Sequence, residues 1–183
     1  MTLTLPTALT LFRILLIPVF GLCFLLSPPW TNILTVAVFL LAAVTDWLDG
    51  YLARRLNQSS DFGAFLDPVA DKLMVAVALI ALVSVYPGVW MAMPAAVIVG
   101  REIAVSALRE WMAEIGKRAS VAVNQLGKFK TVAQMVAIAM LLYREPLVGI
   151  PFPQIGFTLL WLSALLTLYS AYVYVRAALR VLD

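Results

Sequence analysis

Apolar stretches of about 20 residues or more follow one another through this chain, and they decide what it can fold into. They fall at residues 6–26, 31–55, 62–85, 90–115, 121–143 and 154–178. A helix rises about 1.5 Å per residue, so each run is long enough to cross a hydrocarbon core near 30 Å. The runs are continuous rather than alternating, which argues against a β-barrel. Hydrophobic residues make up 63% of the chain and charged residues 13%, where soluble domains carry about 25% charged residues. The expectation is an all-α integral membrane protein with six transmembrane helices, forming a single membrane domain over residues 1–183.

The punctuation between the runs supports this division. Ser27-Pro28-Pro29-Trp30, Tyr86-Pro87-Gly88 and Gly116-Lys117-Arg118 read as turns, and residues 144–153 as a Pro/Gly-rich loop. The first run lacks the basic start and small-residue cleavage site of a signal peptide, so it reads as a retained helix. Arg13 lies about two turns into it and is expected to snorkel to the interface.

Charge placement sets the expected orientation. Arg54, Arg55, Lys117 and Arg118 lie in loops on one side, joined by Arg176 and Arg180 in the tail; the opposite loops hold only Arg144. The positive-inside rule then puts both termini of this multi-pass chain in the cytoplasm. The charges inside the runs gather in the cytoplasmic halves of helices two to five. That asymmetry predicts a polar cavity open to the cytoplasm rather than a pathway across the membrane. No soluble basic tail is present to recruit nucleic acid. Cys23 is the single cysteine, so no intrachain disulfide can form, and it reads as a small core or lipid-facing residue. Histidine is absent, so any metal ligands must be mostly oxygen.

Between residues 46 and 71 stand four carboxylates that a bilayer tolerates only when they are compensated. Asp46 and Asp49 are three apart and share a helix face, with the small residues Gly50 and Ala53 close to it. Asp67 and Asp71 are four apart and share a face on the next helix. The polar connection returns that helix antiparallel, so the two pairs can converge at one depth. Converging carboxylates repel unless a cation lies among them. Hard oxygen ligands select Mg²⁺, Mn²⁺ or Ca²⁺. Two such ions about 3.5–4 Å apart would clamp a phosphorus centre, and Arg54 could fork onto phosphate oxygens at the rim. Each piece also has a plainer explanation: Asp67 before Pro68 fits a helix N-cap, and Asp46 or Asp49 could pair with Arg54 or Arg55 at the interface.

The spacing closely resembles the CDP-alcohol phosphotransferase signature D-x2-D-G-x2-A-R-x8-G-x3-D-x3-D. It falls on Asp46, Asp49, Gly50, Ala53, Arg54, Gly63, Asp67 and Asp71, every interval intact. With background frequencies of about 5–8% per position, chance agreement at all of them is far below one in a million. LPTALTLFRILLIP, REIAVSALREWMAEIGKRASVA and LGKFKTVAQ look like the glycerol-3-phosphate-using branch of that family rather than its serine or inositol branches. Thr4 departs from that branch, where Asn is frequent. The resemblance implies Asp46, Asp49, Asp67 and Asp71 as ligands of two divalent cations, Mg²⁺ or Mn²⁺, with Asp71 also the general base. It implies Asp46, Gly50, Ala53, Arg54, Ser60 and Gly63 around the CDP moiety. It further implies CDP-diacylglycerol as donor, glycerol 3-phosphate as acceptor, CMP as leaving group, and a homodimer among membrane lipids.

A phosphorylated acceptor needs cations of its own, and Arg101, Arg109, Arg118 and Lys130, with Thr131 beside the last, are the candidates. Lys128 and Lys130 are about 200° apart on a helix and cannot both face one anion. Arg101 and Arg109 are about 80° apart and could flank one wall. Glu102 and Glu110 read as partners of these arginines. The alternatives are a sister enzyme using serine, inositol or phosphatidylglycerol, and a divalent-cation transporter. Against the transporter, the outer half offers no polar exit and no inverted repeat is visible.

Overall fold

The computed structural model describes the backbone at residues 5–26, 30–56, 61–116 and 125–182. Side chains are described throughout these ranges except at residues 6, 53, 54, 56, 61, 64, 125–129 and 181–182. Six helices follow in order among the described residues: α1 Leu5–Leu25, α2 Thr31–Leu56, α3 Asp61–Val85, α4 Val89–Glu114, α5 Gln125–Tyr143 and α6 Phe152–Leu182. Five contain segments long and apolar enough to cross a membrane: Thr7–Leu25, Thr31–Leu52, Phe65–Val85, Val89–Glu114 and Phe152–Arg180. The chain is a multi-pass membrane protein. The remaining expected crossing falls on α5, whose described apolar part, Lys130–Tyr143, is shorter and covers about 20 Å.

Lipid-facing and buried surfaces divide along each helix. In α1 the buried positions are Thr7, Thr10, Arg13, Leu16, Phe20 and Cys23, one stripe at helical spacing. Leu15, Leu22 and Leu25 on the other face are exposed. The core joins Phe20, Phe39, Leu79, Leu82, Met91, Ile98, Ile138, Leu141 and Leu160. Between the helices lie small residues, among them Ala42, Ala70, Ala78, Ala137 and Ala164, as expected where close backbone packing rather than hydrophobic exclusion holds helices together. The closest case is Gly156 of α6. A Cβ there would stand 2.9 Å from Leu141 Cγ and 3.2 Å from the Ala137 carbonyl.

α1 packs against α2 and α3, α4 against α3 and α6, and α5 against α2 and α6. The two ends of this bundle differ in chemistry. One end is aromatic: Tyr86 meets Phe157 edge-on at 5.2 Å, Trp90 meets Trp161 at 5.6 Å, and Tyr143 lies 5.7 Å from Phe152. Two backbone groups are satisfied there by side chains. Tyr86 Oη donates to the Leu141 carbonyl in the last turn of α5 at 3.2 Å. Pro94 lies inside α4 and cannot donate to the carbonyl four residues back. That carbonyl, on Trp90, accepts a 3.0 Å hydrogen bond from Trp161 Nε1 of α6 instead.

The expected turn at Tyr86-Pro87-Gly88 separates α3 from α4, and the expected loop after residue 143 separates α5 from α6; residues 27–29, 117 and 118 of the other two expected turns lie outside the described residues. Gly116 follows α4 with φ 71°, the left-handed position that ends a helix at low cost in glycine. Asp67 and Pro68 lie within α3, which begins at Asp61, so the N-cap explanation of Asp67 does not hold. α6 starts earlier and runs further than residues 154–178, with Pro153 in its first turn, where a missing N–H is harmless.

Candidate functional site

At the end opposite the aromatic one, the C-terminal part of α2 carries Asp46 and Asp49 and the N-terminal part of α3 carries Asp67 and Asp71; among the described residues no three carboxylates are gathered as ligands of one metal ion. Asp49 is 3% exposed, whereas the Asp46 side chain is 46% exposed. Asp67 is partly buried and Asp71 is exposed. The cluster thus runs from a closed side to an open one. The carboxylates lie within electrostatic reach of one another: Asp46 and Asp67 act on Asp49, and Asp46 acts on Asp71.

Their main compensation comes from α1. Arg13 does not snorkel to the interface. Its side chain is 1% exposed, and its guanidinium is ion-paired with Asp46 at 2.6 Å and with Asp49. One turn earlier on the same stripe, Thr10 Oγ1 donates to Asp67. Arg55 carries no ion pair to these acids among the described residues, and the expected pairing with Arg54 lies outside them. Arg55 lies 5.3 Å over the ring of Tyr51, which stacks on Trp47, all on the outward face of α2. A polar stripe of Thr7, Thr10 and Arg13 at intervals of three was the available signal; the inward face of an otherwise apolar helix rarely carries it without partners.

The CDP-side candidates are only partly described. Gly50 follows Asp46 by one turn in α2, and Gly63 is buried in α3 two residues after its start. Ala53 and Arg54 belong to the last turns of α2, but their side chains lie outside the described residues, as does Ser60 entirely.

A second polar group is built from α4, α5 and α6. Glu102 accepts from Arg101 Nη1 at 2.7 Å and from Lys130 Nζ at 3.2 Å, and Arg101 Nη2 donates to Ser170 Oγ at 2.9 Å. Lys130 is 5% exposed, and Arg101 keeps a buried Nε with no partner. This group faces the first: Glu102 acts on Asp71, and Asp71 acts on Lys130. The expected pairing of Glu102 with the basic residues is therefore present. Arg109 stands apart, two turns further along α4, with its guanidinium 5.6 Å over the ring of Tyr174. Thr131 is exposed, and Arg118 lies outside the described residues, as do the side chains of Lys117 and Lys128. The cavity of about 430 Å³ lined by Trp90, Phe157, Thr158 and Trp161 belongs to the aromatic end and touches none of these residues.

The donor set suits hard divalent cations. Four carboxylates from adjacent helices, with no imidazole or thiolate near them, offer oxygen alone. A guanidinium already stands between two of them, so the site both tolerates and demands positive charge. The arrangement is an acidic group compensated by Arg13 beside a cationic one formed by Arg101 and the buried Lys130.

The chain belongs to the CDP-alcohol phosphatidyltransferase family, whose model matches residues 3–169. Among curated relatives, the CDP-diacylglycerol--glycerol-3-phosphate 3-phosphatidyltransferase of Escherichia coli (strain K12) is 53% identical over 178 residues, covering 97% of this chain and 96% of the relative. The protein of the same name from Shigella flexneri serotype 5b (strain 8401) is similar to the same extent.

Proposed function

We propose that this protein transfers the phosphatidyl group of CDP-diacylglycerol to glycerol 3-phosphate, giving phosphatidylglycerophosphate and CMP. One observation carries the reading: Asp46, Asp49, Asp67 and Asp71 stand at the same end of the bundle, and Asp71 among them lies within electrostatic reach of Glu102 and Lys130. Similarity over nearly the whole chain to relatives bearing that enzyme's name supports it.

Asp46, Asp49, Asp67 and Asp71 would hold two divalent cations, Mg²⁺ or Mn²⁺. Bound there, such ions stabilise charge developing on phosphate oxygens. The acceptor hydroxyl attacks the phosphorus joined to diacylglycerol, and the bond from that phosphorus to the oxygen of CMP breaks in line. Asp71 takes the hydroxyl proton as the new P–O bond forms, which is all that is asked of so weak a base. Its exposure fits this role, because it faces the open side where a soluble acceptor enters. Asp49 is too enclosed to meet a hydroxyl from solution. Gly50 and Gly63 let the CDP moiety approach the helix backbones, with Ala53, Arg54 and Ser60 completing that wall.

Arg101 and Lys130 bind the acceptor phosphate. Lys130 is buried and Arg101 partly so, and the unpartnered, buried Arg101 Nε offers a further N–H. Glu102 holds the pair in place until the phosphate arrives. Arg109, Arg118 and Thr131 lie further out on the acceptor's route. The site opens to the cytoplasm of a bacterial inner membrane, with both termini on that side; the acyl chains stay in lipid while glycerol 3-phosphate and CMP exchange with water. Six crossings in one domain and a homodimer complete the reading. Purified protein given CDP-diacylglycerol releases CMP with glycerol 3-phosphate and far more slowly with serine, inositol or phosphatidylglycerol. Equal release with serine or inositol would reassign the acceptor.

A further inference from the structure

The position of Arg13 has no counterpart in the reaction just described. A guanidinium has been placed at the closed side of the acidic cluster, 1% exposed, where neither water nor headgroups compensate it. It spans Asp46 and Asp49, which are one turn apart on α2, and so neutralises a pair that would otherwise repel. Its Nε is buried and has no partner among the described residues, so its described hydrogen bonds go to those carboxylates. The Asp46 and Asp49 oxygens it engages belong to the pair that would hold a divalent ion. In a site of low dielectric, a guanidinium and a divalent ion against the same two carboxylates repel strongly.

We propose that Arg13 is the resident counter-cation of the acidic cluster, and that Arg13 and a divalent cation occupy Asp46 and Asp49 in mutual exclusion. Arg13 is a positioning residue in this scheme. It bridges the two carboxylates and neutralises their mutual repulsion, and a divalent ion that takes the same oxygens displaces it. Thr10, one turn away on the same face, stays on Asp67 and holds α1 in register during the exchange. The inference rests on the reading that these aspartates hold metal.

The test is Mn²⁺ binding to the full chain in detergent, measured by titration calorimetry or by loss of the free-ion spin-resonance signal. Arg13→Gln is expected to bind Mn²⁺ about tenfold more tightly than wild type, within the usual range of coupling between competing ligands. Its melting temperature without metal falls, and Mn²⁺ raises it by more than in wild type. A merely structural role predicts the opposite sign, with weaker metal binding along with weaker folding. Should Arg13→Gln not accumulate, Arg13→Lys carries the same comparison: a compact ammonium serves one carboxylate rather than two, so affinity rises by a smaller factor. Wild-type affinity in the variant that folds overturns the exclusion while leaving the metal site standing. Absence of Mn²⁺ binding in wild type itself would remove the metal reading, and the exclusion with it.

Discussion

Lys130→Met isolates the acceptor half of the site. Lys130 sits in the first half of α5 with its Nζ 3.2 Å from Glu102, whose carboxylate is also held by Arg101 at 2.7 Å. Removing the ammonium therefore leaves Glu102 paired, and the unbranched methionine fills the stem's space, so the bundle stays folded. What is lost is a buried, charged donor to the acceptor phosphate. Hydrogen bonds to charged groups contribute about 1.5–3 kcal/mol, and each 1.4 kcal/mol is tenfold in affinity. Part of that gain is already spent on Glu102 in the free protein, so the KM for glycerol 3-phosphate should rise by about 10- to 100-fold. The KM for CDP-diacylglycerol should move by no more than about twofold, because the described contact of the lysine is with Glu102 of α4 rather than with the signature residues of α2 and α3. Initial rates of CMP release, with each substrate varied in turn, measure both. An equal rise in the two KM values, or a loss of kcat with the acceptor KM unchanged, would refute the assignment of Lys130 to the acceptor.

Other outcomes follow from the same geometry. Asp71→Asn should still bind CDP-diacylglycerol while turnover drops by about 10²–10⁴-fold, the usual size of a lost general base; a turnover rate near wild type would remove the base assignment. Arg109→Gln should raise the acceptor KM by much less than Lys130→Met, since its guanidinium is engaged with Tyr174 two turns away. Gly156→Ala should destabilise the α5–α6 contact by about 1–3 kcal/mol through overpacking against Leu141 and the Ala137 carbonyl, read as a lower unfolding midpoint in detergent. Trp161→Phe keeps the ring contact with Trp90 but strands the carbonyl that Pro94 leaves free. It should cost about 0.6–1.7 kcal/mol, the span measured for hydrogen bonds between membrane helices.

Much of this was legible in the sequence, and the limits are physical. Helix bounds followed from apolar length and from Pro/Gly punctuation, both local properties. The four aspartates were legible because intervals of three and four fix a helix face without knowledge of the neighbours. The pairing of Glu102 with basic residues was legible because a carboxylate inside an apolar run needs a cationic partner. Arg13 was not. A lone arginine two turns into an apolar helix has the same local sequence whether it snorkels or is buried, and its partners lie 33 and 36 residues away. Ser170 and Tyr174 were missed likewise, because α6 meets Arg101 and Arg109 only through the fold of the whole bundle. Asp67 misled in the other direction: Asp-Pro is a common helix start, yet the sequence places six residues of the same helix before it.

The central claim, that the four aspartates form a metal-dependent phosphatidyl transfer centre, is tested most directly by one assay. CMP release from CDP-diacylglycerol and glycerol 3-phosphate is followed before chelation of the purified protein, after it, and after Mg²⁺ or Mn²⁺ is restored. The account predicts that chelation abolishes turnover and that the added ion recovers it, with no recovery in Asp49→Asn. Turnover that survives complete chelation, or an Asp49→Asn protein that recovers as wild type does, would contradict it.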